Sequence, residues 1–149
     1  MTATKQEQAL DLLLEISLLL HEDMTESLAR DGLTTSRTRL LWELGLHGPM
    51  TQRSLADALG VSARNVTGLV DALVDTGFVT REPHPTDRRA SLVSFTEHGA
   101  ATVARLREGR QQVAGLLFGE LSTHRLGCLV GGLGDVRDRL RVAMSASEG

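Results

Sequence analysis

The sequence predicts a mainly α-helical protein with one small antiparallel β-hairpin, an α+β arrangement. Apolar residues recur at helical spacing through most of the chain. Two short stretches near its middle alternate in polarity as strands do. Glycine, proline or a capping residue separates the segments. In order, these patterns predict a helix, a second helix, two short helices joined by a turn, two strands and two final helices.

The first helix is predicted over residues 5–30 and is apolar over most of its circumference. The pair Asp31-Gly32 ends it. A helix that is apolar on several sides is buried on several sides. In a chain of 149 residues this favours contact with a second subunit. A second helix fits residues 36–46 and contains the only tryptophan, Trp42.

Two short helices joined by a tight turn are predicted next, and Gly77 ends the second of them. Thr51 caps the first helix and Ser62 caps the second, because a hydroxyl oxygen accepts a free backbone N–H at a helix start. Gly60 forms the turn, since glycine tolerates a positive φ. The inward side of the pair is apolar. It comprises Leu55, Ala56, Leu59, Val61, Val66, Leu69, Val70 and Leu73.

The outward side of the second helix is short and polar, which suits entry into the major groove of DNA. Arg64 is predicted to bind guanine with two hydrogen bonds and Asn65 to read adenine. Ser62 or Thr67 would hold phosphate, and Gly68 would let the backbone approach DNA. The alternative is an ordinary helix pair with a solvated surface, because short helices joined by glycine are common.

Two strands are predicted at residues 78–82 and 90–95, joined by the connector PHPTDRR. The connector ends in Asp87, Arg88 and Arg89, so a carboxylate and two guanidiniums lie at an exposed loop tip. The plain alternative is a surface ion pair worth less than about 1 kcal/mol. After the strands, Thr96 and Ser122 are predicted to cap the two final helices, which run toward residue 120 and Met144.

Charge and composition exclude several classes of protein. Residues 1–29 carry one lysine against six acidic residues, so the acidity behind the net charge of −3 belongs to this segment and the rest of the chain is almost balanced. Any contact with DNA therefore depends on a few placed arginines rather than on a broad positive field. The single cysteine excludes an internal disulfide and suits a reducing cytoplasm. We expect no secretory signal and no membrane segment. Motifs of phosphate-binding loops and hydrolases are missing, which predicts no enzyme activity and no cofactor.

The middle of the chain resembles the winged-helix core of the MarR (multiple antibiotic resistance regulator) family. The specific part is an Asp-x-Arg wing, an alternating strand and Thr-Glu-x-Gly, matched by Asp87, Arg89 and TEHG at 96–99. The stretch LVDALVDTGFV matches the exit of the recognition helix. Phe95 departs from the usual leucine, and the last helix is unusually rich in glycine.

The resemblance implies a single MarR-type domain over residues 1–149. An N-terminal dimerisation helix would occupy 1–35, a winged helix-turn-helix 36–98, and C-terminal dimerisation helices 99–149. The implied function is sequence-specific DNA binding by a homodimer on a pseudo-palindromic operator, as a ligand-responsive repressor in the bacterial cytosol, associated with the nucleoid. A winged helix that binds only proteins is the rival interpretation, and it predicts neither a polar outward face nor arginines at the wing tip.

The resemblance also assigns roles at the wing. Arg89 would enter the minor groove, where negative potential is concentrated, and Arg88 would reach phosphate. Asp87 would position Arg89 by accepting hydrogen bonds from its guanidinium or from nearby backbone.

The sequence says little about which effector molecule the protein binds. Members of the family bind small, often aromatic or phenolic, molecules between the dimer helices and the winged domain, and the candidate pocket residues are His21, Trp42 and His47. Trp42 fits a core anchor better. His124 and Cys128 share one helical face, but no complete set of ligands has recognisable spacing, so no metal site is predicted. Whether this pair binds metal or senses oxidants stays open.

Overall fold

The computed structural model describes residues 2–147, so Met1, Glu148 and Gly149, the ends of the predicted dimerisation segments, lie outside the described residues. Helices and strands follow the predicted order, and one short strand is added. The elements are α1 Lys5–Arg30, α2 Thr35–His47, β1 Met50–Thr51, α3 Gln52–Leu59, α4 Ala63–Asp75, β2 Val79–Pro83, β3 Ser91–Phe95, α5 Glu97–Phe118 and α6 Thr123–Ser147.

The added strand, β1, lies where the sequence predicted only a break between two helices. It pairs antiparallel with β3, with Met50 opposite Val93 and Thr51 opposite Leu92. Because β2 also pairs antiparallel with β3, the sheet has the order β1-β3-β2. Two residues are too short to show a period of two, so only pairing with the later hairpin reveals this strand.

The predicted helix starts are confirmed by their cap hydrogen bonds. The Thr51 hydroxyl accepts the N–H of Ser54 at 3.1 Å, and the Ser62 hydroxyl accepts that of Asn65 at 3.1 Å. Between these two helices Gly60 adopts the left-handed conformation with φ 66°. The turn that separates α3 from α4 is therefore the one the sequence predicted.

The core lies between α2, α3, α4 and the inner face of the sheet. Its fully buried apolar side chains are Leu40, Leu41, Leu44, Leu55, Val66, Val70, Leu73, Val79 and Val93. Leu69, predicted to point inward, is only half-buried because it lies at the edge of a concave surface beside α2. Trp42 is also half-buried rather than part of the core.

The chain divides into two compact units, one up to Arg105 and the other from Leu106, with the boundary inside α5. The first unit contains the helix-turn-helix and the sheet, and the second contains the end of α5 and α6. In α1, all of which is described, Leu28 is the only buried residue. None of the described residues of α6 is buried. Within residues 2–147, no helix has the length and apolar character needed to cross a membrane.

Candidate nucleic-acid interface

Helix α4 presents one polar face because its opposite face is fixed in the core. Val66, Val70 and Leu73 recur at helical spacing and are buried. Arg64 and Asn65, in the first turn, are consequently exposed. Among the described residues, neither side chain forms an ion pair or a hydrogen bond within the protein. A guanidinium and a carboxamide are therefore free to bind groups outside the chain.

The two hydroxyls of this helix are used differently. The Ser62 oxygen accepts the N–H of Asn65, which leaves its O–H free to donate. The Thr67 O–H donates to the carbonyl of Ala63 at 2.9 Å, and its oxygen accepts from the Gln52 amide at 3.1 Å. Phosphate oxygens only accept, and a hydroxyl has a single donor. Among the described residues, the Thr67 hydroxyl hydrogen has a protein acceptor and the Ser62 hydroxyl hydrogen does not.

A concave surface of about 420 Å³ lies on the α2 side of α4. It brings Arg39 to the same surface as Arg64, a neighbour that sequence analysis missed. The complete lining is Ser36, Arg39, Leu59, Val61, Arg64, Asn65, Gly68 and Leu69. No local pattern could reveal this approach, because the two arginines belong to different helices. The surface combines two guanidiniums with a small apolar floor.

The wing is the β2–β3 hairpin, and Asp87 shapes its tip. An Asp87 carboxylate oxygen accepts the backbone N–H of Arg89 at 2.9 Å, and the Asp87 carbonyl accepts that of Ala90 at 3.2 Å. Of the two partners predicted for Asp87, the structure shows the backbone rather than the guanidinium. Arg88 and Arg89 are both exposed. No ion pair of either arginine occurs within residues 2–147.

His84 is a wing residue that sequence analysis missed. Its ring Nδ1 accepts the backbone N–H groups of Thr86 at 3.2 Å and of Asp87 at 3.0 Å. The backbone N–H of His84 donates to the backbone carbonyl of Ala90 at 3.2 Å, and this hydrogen bond closes the base of the loop. His84 and Asp87 together hold the backbone that carries the two arginines. A signal existed, since polar side chains before a turn often accept its free N–H groups.

A bridge of four side chains, Gln52, Thr67, Asp71 and Arg81, connects α3, α4 and β2. Arg81 of β2 donates from Nε to the Gln52 carbonyl oxygen at 2.8 Å, and its Nη2 pairs with the Asp71 carboxylate of α4. The Gln52 amide nitrogen in turn donates to Thr67. The polar side of α4 is consequently joined to a wing strand.

The Thr-Glu-x-Gly motif joins the start of α5 to the entry of the wing. Thr96 donates its N–H to the Phe78 carbonyl at 3.1 Å and its hydroxyl to the Gly77 carbonyl at 2.5 Å. The same hydroxyl oxygen accepts the N–H of Gly99 at 3.0 Å, which confirms Thr96 as the cap. A Cβ on Gly99 would lie 1.9 Å from the Phe78 carbonyl oxygen, so only glycine fits this approach.

The candidate effector residues are not brought together at either concave surface next to α4. His21 is exposed on α1, and Trp42 is half-buried on α2. His47 is exposed, with Nε2 3.4 Å from a Glu43 carboxylate oxygen. Neither the first surface nor a second one of about 400 Å³ between α3 and α4 includes any of them.

The candidate metal or redox pair lies on α6. The Cys128 sulfur is 3.8 Å from His124 Nε2, and both side chains are exposed. Across the part of the chain that the structure describes, no group of three or more His, Cys, Asp or Glu side chains is arranged to hold a metal ion.

Comparison with known proteins connects this geometry to a family. Residues 33–91 match the family model described as the MarR family. An uncharacterized HTH-type transcriptional regulator of Mycobacterium leprae is 39% identical over 80 residues, 54% of this chain and 56% of that protein. The HTH-type transcriptional repressor NicR of Pseudomonas putida is 33% identical over 90 residues, 60% of this chain and 57% of that protein. The chain thus spans little more than half the length of these curated relatives.

A solved structure extends the likeness to nearly the whole chain. AbsC, a MarR family transcriptional regulator from Streptomyces coelicolor, superposes with a TM-score of 0.70 at 26% sequence identity. The match covers 95% of this chain and 98% of AbsC. These relatives are transcriptional regulators of the HTH type, repressors among them, and not enzymes. Residues 33–91 therefore carry the match to the MarR family model, and the chain has the winged helix-turn-helix fold of MarR family transcriptional regulators.

Proposed function

We propose that this protein is a cytoplasmic transcriptional regulator that binds a pseudo-palindromic operator in double-stranded DNA as a homodimer. The observation that carries the proposal is the exposed polar face of α4 beside a wing that ends in two exposed arginines. A helix of this kind fits the major groove, which is about 12 Å wide. A wing tip of this kind fits the adjacent minor groove. Binding to proteins alone would give no reason for these unpaired guanidiniums.

In the proposed complex some residues contact DNA directly, and others position those residues. Arg64 binds guanine through its planar fork, and Asn65 binds adenine. Ser62 donates its free hydroxyl hydrogen to phosphate. Arg89 enters the minor groove while Arg88 contacts phosphate. Asp87 and Thr67 act indirectly, because the wing backbone and Gln52 respectively engage their side chains.

The homodimer is supported by the apolar surface of the terminal helices. In α1, Leu14 is 61% exposed and Leu18 59% exposed, although these are large apolar side chains. In α6, Leu140 is 59% exposed. We propose that a second copy covers these surfaces, with residues 1–35 and 99–149 as the dimerisation segments. Two-fold symmetry would then place two recognition helices about one turn of DNA apart, roughly 34–36 Å.

We further propose repression that responds to a small aromatic or phenolic effector. His21, Trp42 and His47 stay the candidate contacts. They line neither of the two concave surfaces next to α4, so a pocket that unites them would have to form elsewhere, with help from the second copy. No metal and no cofactor form part of this proposal.

DNA binding is tested by fluorescence anisotropy with the DNA upstream of the protein's own reading frame, at two salt concentrations. We expect Arg64→Ala to lose about 1–3 kcal/mol of discrimination at a single base position. Arg89→Ala should weaken operator binding without changing the circular dichroism spectrum. Wild-type protein without a preference for any operator sequence would contradict the proposal.

A further inference from the structure

We propose that the bridge formed by Gln52, Thr67, Asp71 and Arg81 is a positioning device that fixes the recognition helix relative to the wing. It would thereby set how many base pairs separate the major-groove and minor-groove sites in each half of the operator. This inference rests on the proposed function, since it concerns how one protomer reads two grooves at once. It assigns specificity to four residues that need not touch a base.

The geometry of Arg81 supports a holding role. Its guanidinium binds two partners from two different helices, with Nε on Gln52 and Nη2 on Asp71. These partners lie 29 and 10 residues away in sequence. Two hydrogen bonds in different directions fix the plane of a guanidinium, which a single ion pair does not. The side chain is 31% exposed, about half the exposure of Asp71 at 57%. Arg81 is therefore directed along the protein surface, toward α3 and α4.

Thr67 completes the bridge on the recognition helix. Its donor is bound to the Ala63 carbonyl and its oxygen accepts from Gln52, so both ends of the hydroxyl are engaged inside the protein. Gln52 is the first residue of α3 and joins the two partners through its two amide atoms. One side of α4 is thus tied to α3 and the wing. The side that carries Arg64 and Asn65 forms no such side-chain link within the described residues.

The charge of Asp71 gives the bridge a second consequence. An unpaired carboxylate on the outward face of a recognition helix would repel the phosphates of DNA. In the bridge, its charge is balanced by the Arg81 guanidinium. An exposed ion pair adds little to folding stability, typically 0–1 kcal/mol. The value of this pair is consequently geometric, and its loss should alter DNA recognition more than folding.

A direct phosphate contact by Arg81 is the competing explanation, and it predicts opposite results. If Arg81 binds phosphate, Arg81→Lys keeps most of the affinity, because a lysine ammonium also attracts phosphate. Asp71→Asn would then tighten binding, since it frees Arg81 and removes a negative charge. If the bridge positions the wing, both variants lose the same property, because lysine lacks the planar fork and asparagine lacks the charge.

The experiment measures binding to a series of operators in which the A·T-rich minor-groove segment is moved by one base pair at a time relative to the major-groove half-site. Wild-type protein should prefer one spacing. In Arg81→Lys and Asp71→Asn we expect this preference to fall by about tenfold, within the range of couplings measured inside one hydrogen-bond network. The double variant should be no worse than either single variant. Because Arg81→Lys keeps the net charge, this variant should not change the affinity for non-specific DNA or the salt slope.

Two further variants keep the test decisive. Gln52→Met retains the size of the side chain but not its hydrogen bonds, and it should reproduce the loss even if Arg81→Lys fails to fold. Glu82→Gln changes one charge at the next position of β2, where successive side chains point to opposite faces, and should leave the spacing preference intact. An unchanged preference in the folded bridge variants, or tighter operator binding by Asp71→Asn, would overturn the inference. Failure of the proposed function would look different, because wild-type protein would then bind no operator selectively.

Discussion

The helix-turn-helix and the terminal helices are similarly rich in apolar residues but differ in burial. In α4 the apolar side chains occupy one stripe, and Val66, Val70 and Leu73 are all buried. In α1 they surround the helix, and Leu28 is the one buried residue among those described. Apolar spacing therefore predicts that a surface will be covered, but not that the same chain will cover it.

The difference follows from the width of the apolar stripe. A stripe about 100° wide is satisfied by one neighbouring layer, and the opposite side of the helix stays polar and available for function. A helix that is apolar all round needs partners on several sides. Several large apolar side chains are exposed in the described residues of both α1 and α6. We attribute that surface to the proposed dimer.

The largest expected effect comes from a substitution in the buried core of the helix-turn-helix. Leu55 of α3 is 0% exposed, so Leu55→Ala removes buried methyl groups and leaves a cavity. We expect the free energy of unfolding to fall by about 2–5 kcal/mol. Urea denaturation monitored by circular dichroism measures this change. A loss below about 1 kcal/mol would show that the core around α3 is less tightly packed than the structure indicates.

The next prediction concerns the exposed apolar surface of α1. Ile16 of α1 is 49% exposed in the single chain and is not part of its buried core, so Ile16→Glu should leave the protomer folded. If a second copy buries this position, an unpaired carboxylate there costs several kcal/mol, which would weaken dimerisation by at least about 100-fold. Light scattering at micromolar concentration measures the oligomeric state. A wild-type monomer, or a dimer that tolerates the change, would contradict the proposed interface.

Glycine substitutions sharpen the comparison within the winged unit. Gly99→Ala would place Cβ 1.9 Å from the Phe78 carbonyl oxygen, so we expect about 1–3 kcal/mol of destabilisation. Gly68 of α4 is the matched control, because a Cβ there meets no atom within 4 Å. Gly68→Ala should stabilise the helix by up to about 1 kcal/mol while weakening DNA binding. Thermal unfolding and anisotropy measure the two effects, and equal stability changes in both variants would refute the close approach at Gly99.

The smallest expected effect lies at the start of α1. The backbone N–H of Thr4 donates to Glu7 at 2.6 Å, and this hydrogen bond holds the pKa of the Glu7 carboxyl below its ordinary value of 4.5. A lowered pKa in the folded state means that the stabilisation is present above the unfolded value and is lost as the pH falls through the folded one. Glu7→Gln should therefore reduce the acid dependence of stability slightly. Thermal midpoints measured on both sides of pH 4.5 test this prediction, which an unchanged acid dependence would contradict.

Much of the fold was predictable because its causes are local. The capping hydroxyls of Thr51, Ser62 and Thr96 bind N–H groups three residues away, and Gly60 forms its turn through its own φ. The order of helices and strands follows from periodicity in the same way. The motif at residues 96–99 indicated the family, although its packing reason, the contact between Gly99 and Phe78, is visible only in the structure.

The candidate interface was predictable only in part. Sequence analysis placed Arg64, Asn65, Arg88 and Arg89 on exposed elements, since exposure follows from the buried stripe and from the loop. It missed β1, the surface shared by Arg39 and Arg64, the role of His84, and the hydrogen bond from Gln52 to Thr67. Except for His84, whose partners are two and three residues away, each depends on groups that folding brings together from distant parts of the sequence.

The amino-acid order alone thus decided where helices begin and end, which faces are apolar and which side chains reach the wing tip. These properties depend on hydrogen bonds and side-chain directions within a few residues. Tertiary packing decided which of the apolar faces the chain covers itself, and which polar groups meet across 10 to 29 residues in the bridge between the recognition helix and the wing. Such pairings depend on how α3, α4 and β2 pack against one another. A pattern that spans a few residues does not predict contacts between groups so far apart in the sequence.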